Sequence, residues 1–94
     1  MATMLVKMKV GEYNQWKRAF DELDQARRAH GWISYDILRD DSDPNSITVI
    51  SKMKDIEQGK AYGRSPELRD AIQRAGVIGA PDIQFFSDVE QKNF

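Results

Sequence analysis

Apolar and charged residues alternate from Leu5 to Val10, with Val6, Met8 and Val10 set against Lys7 and Lys9. A period of two sends successive side chains to opposite faces, so this stretch predicts a first strand with one buried and one wetter face. From Tyr13 to Ala29 the period lengthens: Trp16, Ala19, Phe20, Leu23 and Ala26 return every three or four residues and predict one helix with an apolar stripe. Its other side carries Lys17 with Asp21, Arg18 with Glu22 and Asp24 with Arg28, all spaced to pair along a solvated face. Gly31, directly after His30, can take the positive φ that ends a helix. Trp32–Arg39 then predicts a second strand, and Ile47–Met53, a β-branched run, a third. The intervening Asp40-Asp41-Ser42-Asp43-Pro44-Asn45-Ser46 is turn chemistry, so these strands are expected to form an antiparallel hairpin.

Asp55 followed by Gln58 offers an N-cap and its reciprocal partner, although Gly59 and Gly63 weaken the helix they open, which is expected to be short or broken. Ser65-Pro66-Glu67 is a stronger start: a capping hydroxyl, a proline at the first helical position and an acid near the positive end of the dipole. Leu68, Ala71, Ile72 and Ala75 give that helix its apolar face, and Gly76 ends it. Gly79-Ala80-Pro81 reads as a turn into a last strand, Ile83–Val89, with Phe85 and Phe86 on opposite faces. The order β-α-β-β-α-β predicts an α+β, ferredoxin-like fold: a four-stranded antiparallel sheet with both helices on one face. Apolar residues occupy both alternation phases of several strands, so the bare face of that sheet is partly oily and a sheet-to-sheet homodimer is expected to cover it.

Composition narrows the function classes. The 94 residues fit one domain, 1–94, with Gln91–Phe94 as a loose tail, and a chain this short builds a thin core. With 14 Lys and Arg against 15 Asp and Glu, there is little field to hold a polyanion, so neither nucleic acid nor an acidic membrane is an expected partner. The first strand and the third lack the aromatics on which an RNA-binding sheet stacks bases. Cysteine is absent, which removes disulfides, thiolate nucleophiles and Cys-ligated metals. That absence, with no leader-like or membrane-spanning run read at the start, points to a cytoplasmic protein.

Several residues bear chemistry. His30 is the one side chain whose ordinary titration lies near neutrality; it is a candidate general base, although a histidine in a helix's last turn also suits the negative end of the dipole. Asp41, Asp43 and Asn45 are spaced like the start of a calcium loop, but Ser46 stands where the loop needs glycine and Lys52 where it needs its closing glutamate, so the segment reads as a hairpin turn and no metal site is expected. Tyr13, Trp16, Phe20, Trp32, Tyr35 and Tyr62 are aromatic enough to line a cavity between sheet and helices, with Trp16 and Phe20 assigned to the core. Arg39 and Arg64 are candidates to hold an anionic group.

Tyr13-Asn14-Gln15-Trp16-Lys17 with Phe20-Asp21, then Asp43-Pro44-Asn45, Ser65-Pro66-Glu67-Leu68 and Ala75-Gly76-Val77 with Pro81 together resemble the dimeric α+β-barrel superfamily, near its antibiotic-biosynthesis-monooxygenase-like members. The resemblance runs from strand one to strand four. It implies two ferredoxin-like subunits pairing their sheets into a barrel, each with a ligand between sheet and helices. Haem-degrading members carry an asparagine on the first strand, a tryptophan near the end of the third and a histidine in the second helical region. Here strand one has no asparagine, Met53 or a neighbour stands in the tryptophan's place, and Lys54–Ala75 has no histidine, so the resemblance does not extend to haem degradation and no cofactor is expected. Cofactor-free oxygenases of the superfamily rely on an Asn, Trp and Tyr set, of which Tyr62 is the member placed here.

Two functions are consistent with these residues. One is a metal-free, monooxygenase-like or cyclase-like enzyme acting on an aromatic or polyketide-like molecule, with His30 and Tyr62 as catalytic residues and Tyr13, Trp32, Tyr35, Arg39 and Arg64 binding the ligand. The other is a non-catalytic module of the same fold that binds a small ligand or a partner.

Overall fold

The computed structural model describes residues 1–94 in eight elements: β1 (Ala2–Val10), α1 (Tyr13–Asp21), α2 (Asp24–Ala29), β2 (Trp32–Arg39), β3 (Ser46–Met53), α3 (Ile56–Gly63), α4 (Pro66–Arg74) and β4 (Val77–Ser87). The strands pair antiparallel in the order β2-β3-β1-β4. This is the expected α+β, ferredoxin-like sheet. Residues paired across a ladder share a face, so the register sorts the side chains. Met4, Val10, Ile47, Val49 and Met53 are buried under the helices, while Leu5, Lys7 and Lys9 face away together with Thr48, Ile50 and Lys52. Phe85 pairs with Met4 on the helix side and Phe86 with Thr3 on the open side, the division expected of that pair.

Side-chain oxygens start the helices. The Glu12 carboxylate accepts from the Asn14 and Gln15 N–H groups at 3.0 and 2.7 Å, Asp55 accepts from Gln58 at 2.8 Å, and Ser65 Oγ accepts from Leu68 at 3.2 Å. Each meets one or two of the donors that a helix leaves free at its first turn.

Three expectations need correction. The first strand begins at Ala2, three residues before its alternation becomes clean. The single helix over 13–29 is two helices, α1 and α2, separated at Glu22–Leu23. At the break Leu23 N donates to the Phe20 carbonyl in a tighter turn, and the Arg27 guanidinium swings inward to donate to that same carbonyl. The charge pairing changes with it: Lys17 meets Asp21 at 2.6 Å as expected, but Asp24 pairs with Arg27 at 3.2 Å and Glu22 with Arg74 at 3.4 Å.

Helix α3 is short and unbroken, one of the two outcomes expected of it. Gly59 is buried, and a Cβ there would come within 2.1 Å of Met53 Sδ, so glycine lets the helix lie directly on β3. The third correction concerns the last strand, which starts at Val77 and ends at Ser87. Gly79-Ala80-Pro81 makes no turn. It is absorbed as an irregularity in the strand, where the pairing passes from Lys9↔Ile78 to Lys7↔Asp82. Gly79 has φ +74°, and an edge strand tolerates a proline without an N–H to give to the ladder.

The core divides along the helix layer. Val10, Trp16, Ala19, Ile47, Val49 and Ala75 form the largest cluster, and Leu23, Tyr62 and Ala71 form a smaller one that Trp32 and Leu68 pack against. Overall extents of 34 × 34 × 19 Å describe one sheet with one layer of helices and an uncovered face. No helix is long and apolar enough to cross a membrane.

Candidate functional site

The helix-side faces of β1 and β4 and the inner faces of α1, α2 and α4 border a partly open cavity of about 60 Å³. Its walls are apolar: Met4, Val6 and Met8 from β1, Ile83 from β4, Leu68 and Ile72 from α4. These residues alternate on the strand and recur at helical spacing, so the walls follow from the same periodicities that fold the chain. One end is different. There Phe20, Arg27, Trp32 and Tyr62 meet, and Arg27 is the one charged residue in the lining.

Arg27 is 3% exposed. Its guanidinium lies 3.6 Å from the centre of the Phe20 ring, 5.5 Å from that of Trp32 and 5.9 Å from that of Tyr35, an aromatic surround for a cation. Two of its nitrogens have protein acceptors, Asp24 at 3.2 Å and the Phe20 carbonyl, while Nε has none. Burial pulls the guanidinium below its ordinary value, opposed by the charge of Asp24. Trp32 packs edge-on to Tyr62 with ring centroids 5.2 Å apart, and its buried Nε1 has no acceptor. Tyr62 is 2% exposed; burial raises its hydroxyl above the ordinary tyrosine value, and the neighbouring Arg27 opposes that rise. Tyr62 is thus held neutral and able to donate.

His30 caps α2. Its Nδ1 lies 2.8 Å from the Ala26 carbonyl, which fixes that nitrogen as the donor and leaves Nε2 as the acceptor. The ring sits edge-on to Tyr62 at 5.4 Å, behind it as seen from the cavity, whose lining does not include His30. Outside the partition made by Arg27 and Trp32 lies an open hollow of about 310 Å³ bounded by Asp24, Arg28, Ile33, Ser34 and Tyr35.

The fold therefore brings Trp32 and Tyr62 to the cavity, sets His30 behind Tyr62, and leaves Tyr35 at the outer hollow. Tyr35 also packs edge-on against Phe20 at 4.9 Å. Tyr13 and Arg39 lie elsewhere, stacked on each other with the guanidinium 4.5 Å from the ring centre, at the far end of the row Tyr13, Trp16, Phe20. Arg64 is the exposed C-cap of α3, apart from the cavity. Trp16 is buried, its Nε1 3.1 Å from Met8 Sδ, and Phe20 is half-buried in the wall. The Asp40–Ser46 segment is a hairpin turn in which Asp40 and Asp43 accept from the Ser42 and Asn45 N–H groups, both at 3.0 Å. No three of the chain's His, Asp and Glu side chains gather into a metal-binding group.

Sequence reasoning missed Arg27, yet a signal was present. It stands four residues after Leu23 and seven after Phe20, on the apolar stripe itself, where a charged residue is out of place unless it is turned to a purpose.

Solved structures similar to this one share its fold across nearly their whole length. An oxygenase of Streptomyces nogalater, SnoaB, described as cofactor-independent, is 16% identical with a TM-score of 0.75, over 96% of this chain and 94% of its own. A protein of Caulobacter crescentus, provisionally assigned as an antibiotic biosynthesis monooxygenase, is 19% identical with a TM-score of 0.75, over 95% and 90%. One of Deinococcus radiodurans with the same provisional assignment is 15% identical with a TM-score of 0.77, over 100% and 98%. No protein of curated function matches the sequence. The family profile described as antibiotic biosynthesis monooxygenase matches residues 1–74, which carry β1 through α4 and the cavity's polar end. On that match, the chain belongs to the antibiotic biosynthesis monooxygenase family.

Proposed function

We propose that two copies of this chain pair through the open faces of their sheets, and that each copy binds an aromatic or polyketide-like phenol between sheet and helices and oxygenates it without a cofactor. The observation that carries the reading is the cavity: apolar walls with a Trp, Tyr and buried Arg at one end. Family membership and likeness to a cofactor-independent oxygenase support the reaction class.

In this chemistry the substrate itself reduces dioxygen. A phenol of the anthrone type loses a proton, the resulting anion passes an electron to dioxygen, and the two radicals join as a hydroperoxide. Loss of water then leaves a quinone carbonyl. A ring CH₂ and one dioxygen become C=O and one water, so atoms and electrons balance. The protein's tasks are to exclude bulk water and to stabilise the anion with donors already in place. Tyr62, kept neutral by burial, is the proposed donor to the phenolate oxygen; His30, packed edge-on behind that ring and outside the cavity lining, is the proposed positioning residue for Tyr62, and the substrate's proton passes to solvent as the anion enters. Trp32 and Tyr35 are the proposed ring-stacking surfaces on the way in. The cavity must enlarge for such a guest, since benzene fills a space of about 150 Å³. Met4 and Met8, unbranched and adaptable, are the walls proposed to move.

Pairing is supported by the surface. On the open face Leu38, Ile78 and Phe86 are 47, 61 and 45% exposed, around Leu5 and Ile50 at its centre.

The test is oxygen uptake with an anthrone-type phenol, read beside the appearance of quinone absorbance. The proposal expects uptake above the uncatalysed rate that falls about 100-fold in Tyr62→Phe, the size of losing one preorganised donor. The small volume of the cavity favours a second reading, a binding module without catalysis. A phenol that binds in the cavity with no uptake above background would select that reading and end the first.

A further inference from the structure

The partition between the cavity and the outer hollow holds two buried N–H groups that the protein does not use. Arg27 has its charge wrapped in aromatic rings and its Nε–H without an acceptor; Trp32 has its Nε1–H without one. An unmet donor out of reach of water costs about 1–3 kcal/mol, and more when it is charged. Buried donors are rarely left so without cause. Packing does not account for it: Asp24 and the Phe20 carbonyl each take one N–H from the two terminal nitrogens and fix the guanidinium in place. The Nε–H is therefore held at a fixed position beside an apolar cavity, in surroundings that strengthen any charge-assisted hydrogen bond made there.

We infer that Arg27 Nε–H and Trp32 Nε1–H are the receptor for one oxyanion, a carboxylate or phenolate, on an otherwise apolar aromatic ligand. The ligand's ring lies against the cavity walls and its charged end meets the partition. A ligand without an acceptor would leave both donors unmet, and a neutral oxygen would meet them with weaker bonds than an anion, so an anionic ligand is favoured. Arg28, on the outer hollow, is solvent-exposed and contributes attraction only at long range. This rests on the reading of the cavity as the ligand site, and it narrows the ligand to aryl anions.

The experiment is titration calorimetry of the whole chain at pH 7 with three probes of one shape: 2-naphthoate, 2-naphthol and 2-naphthylmethanol. Naphthoate is expected to bind at least tenfold more tightly than the alcohol. Naphthol is expected to bind with proton release if phenolate is accepted, and without it if only carboxylate is. Arg27→Met should erase the preference for the acid while leaving the alcohol's affinity intact, and Arg28→Ala should keep the preference. Where Arg27→Met does not fold, Trp32→Phe and the wild-type protein still decide: Trp32→Phe should narrow the preference, and the Arg27 Nε–H resonance should move downfield on adding naphthoate. An acid that binds no better than its alcohol, no binding by either, a preference that survives Arg27→Met, or an unmoved Nε–H resonance overturns the inference. Because binding is read without turnover, absent oxygen uptake with this selectivity intact removes only the oxygenase reading. Uptake without the selectivity removes only this one.

Discussion

The side chains that matter most are those whose burial and polarity disagree. Tyr62 and Arg27 are both nearly inaccessible, and each moves the other's protonation. Burial holds Tyr62 neutral above its ordinary 10.0, so the stability it contributes is fully present below that pH. As pH rises past 10 the unfolded chain gives up this proton while the folded chain keeps it, and stability falls until the folded value is also passed. Urea denaturation at pH 9 and 11 should therefore show a loss that Tyr62→Phe reduces. His30→Ala removes a favourable partner of the last carbonyls of α2 and should lower stability by about 0.5–1 kcal/mol, with a larger effect on turnover than on the melting temperature. Equal losses would assign His30 to packing alone. At this scale the sequence was partly legible. Trp32 and Tyr62 stand out as large aromatics, and His30 as the lone imidazole, but distance along the chain does not say that Tyr13 and Arg39 stack on each other away from the cavity. Arg27 was overlooked because charge pairing at a spacing of four favoured Asp24 with Arg28, whereas the break in the helix turns Arg27 inward.

Among the elements, the strands and caps were legible because period and capping chemistry are local. The departures occur where tertiary packing decides. Leu23 has a place on a continuous helical stripe, yet the chain breaks beside it to bury both Leu23 and Arg27. The turn residues Gly79 and Pro81 become a strand irregularity because β4 is at the sheet edge, where unpaired positions face solvent rather than a neighbour. Helix α3 gives a paired test of how far packing overrides propensity. A Cβ at Gly63 would meet the Phe85 ring at 3.5 Å, an ordinary contact, so Gly63→Ala should stabilise the protein by up to about 1 kcal/mol. At Gly59 the same propensity gain meets fully buried Met53 at 2.1 Å, and Gly59→Ala should be destabilising, by about 1–2 kcal/mol. Thermal melts of the two variants moving in the same direction would contradict this account of why α3 carries its glycines.

For the molecule as a whole, the two faces of one sheet differ in what covers them. The helix side borders the cavity, and the open side carries apolar residues from all four strands among Lys7, Lys9, Lys52, Asp36 and Asp82. The alternation of the strands already showed an oily second face, because apolar residues occupy both phases. What the alternation could not show was the size of the cavity, which depends on how closely α4 approaches β1 and β4. Leu38→Asp would set a charge on the proposed seam, at its β2 edge, with little effect on the folded subunit, since Leu38 is about half exposed. The most direct measurement is sedimentation equilibrium at micromolar concentration. A species of twice 10.8 kDa that Leu38→Asp converts to the single chain is the predicted result. A wild-type protein that sediments as one chain would contradict the division of the sheet into a ligand face and a pairing face.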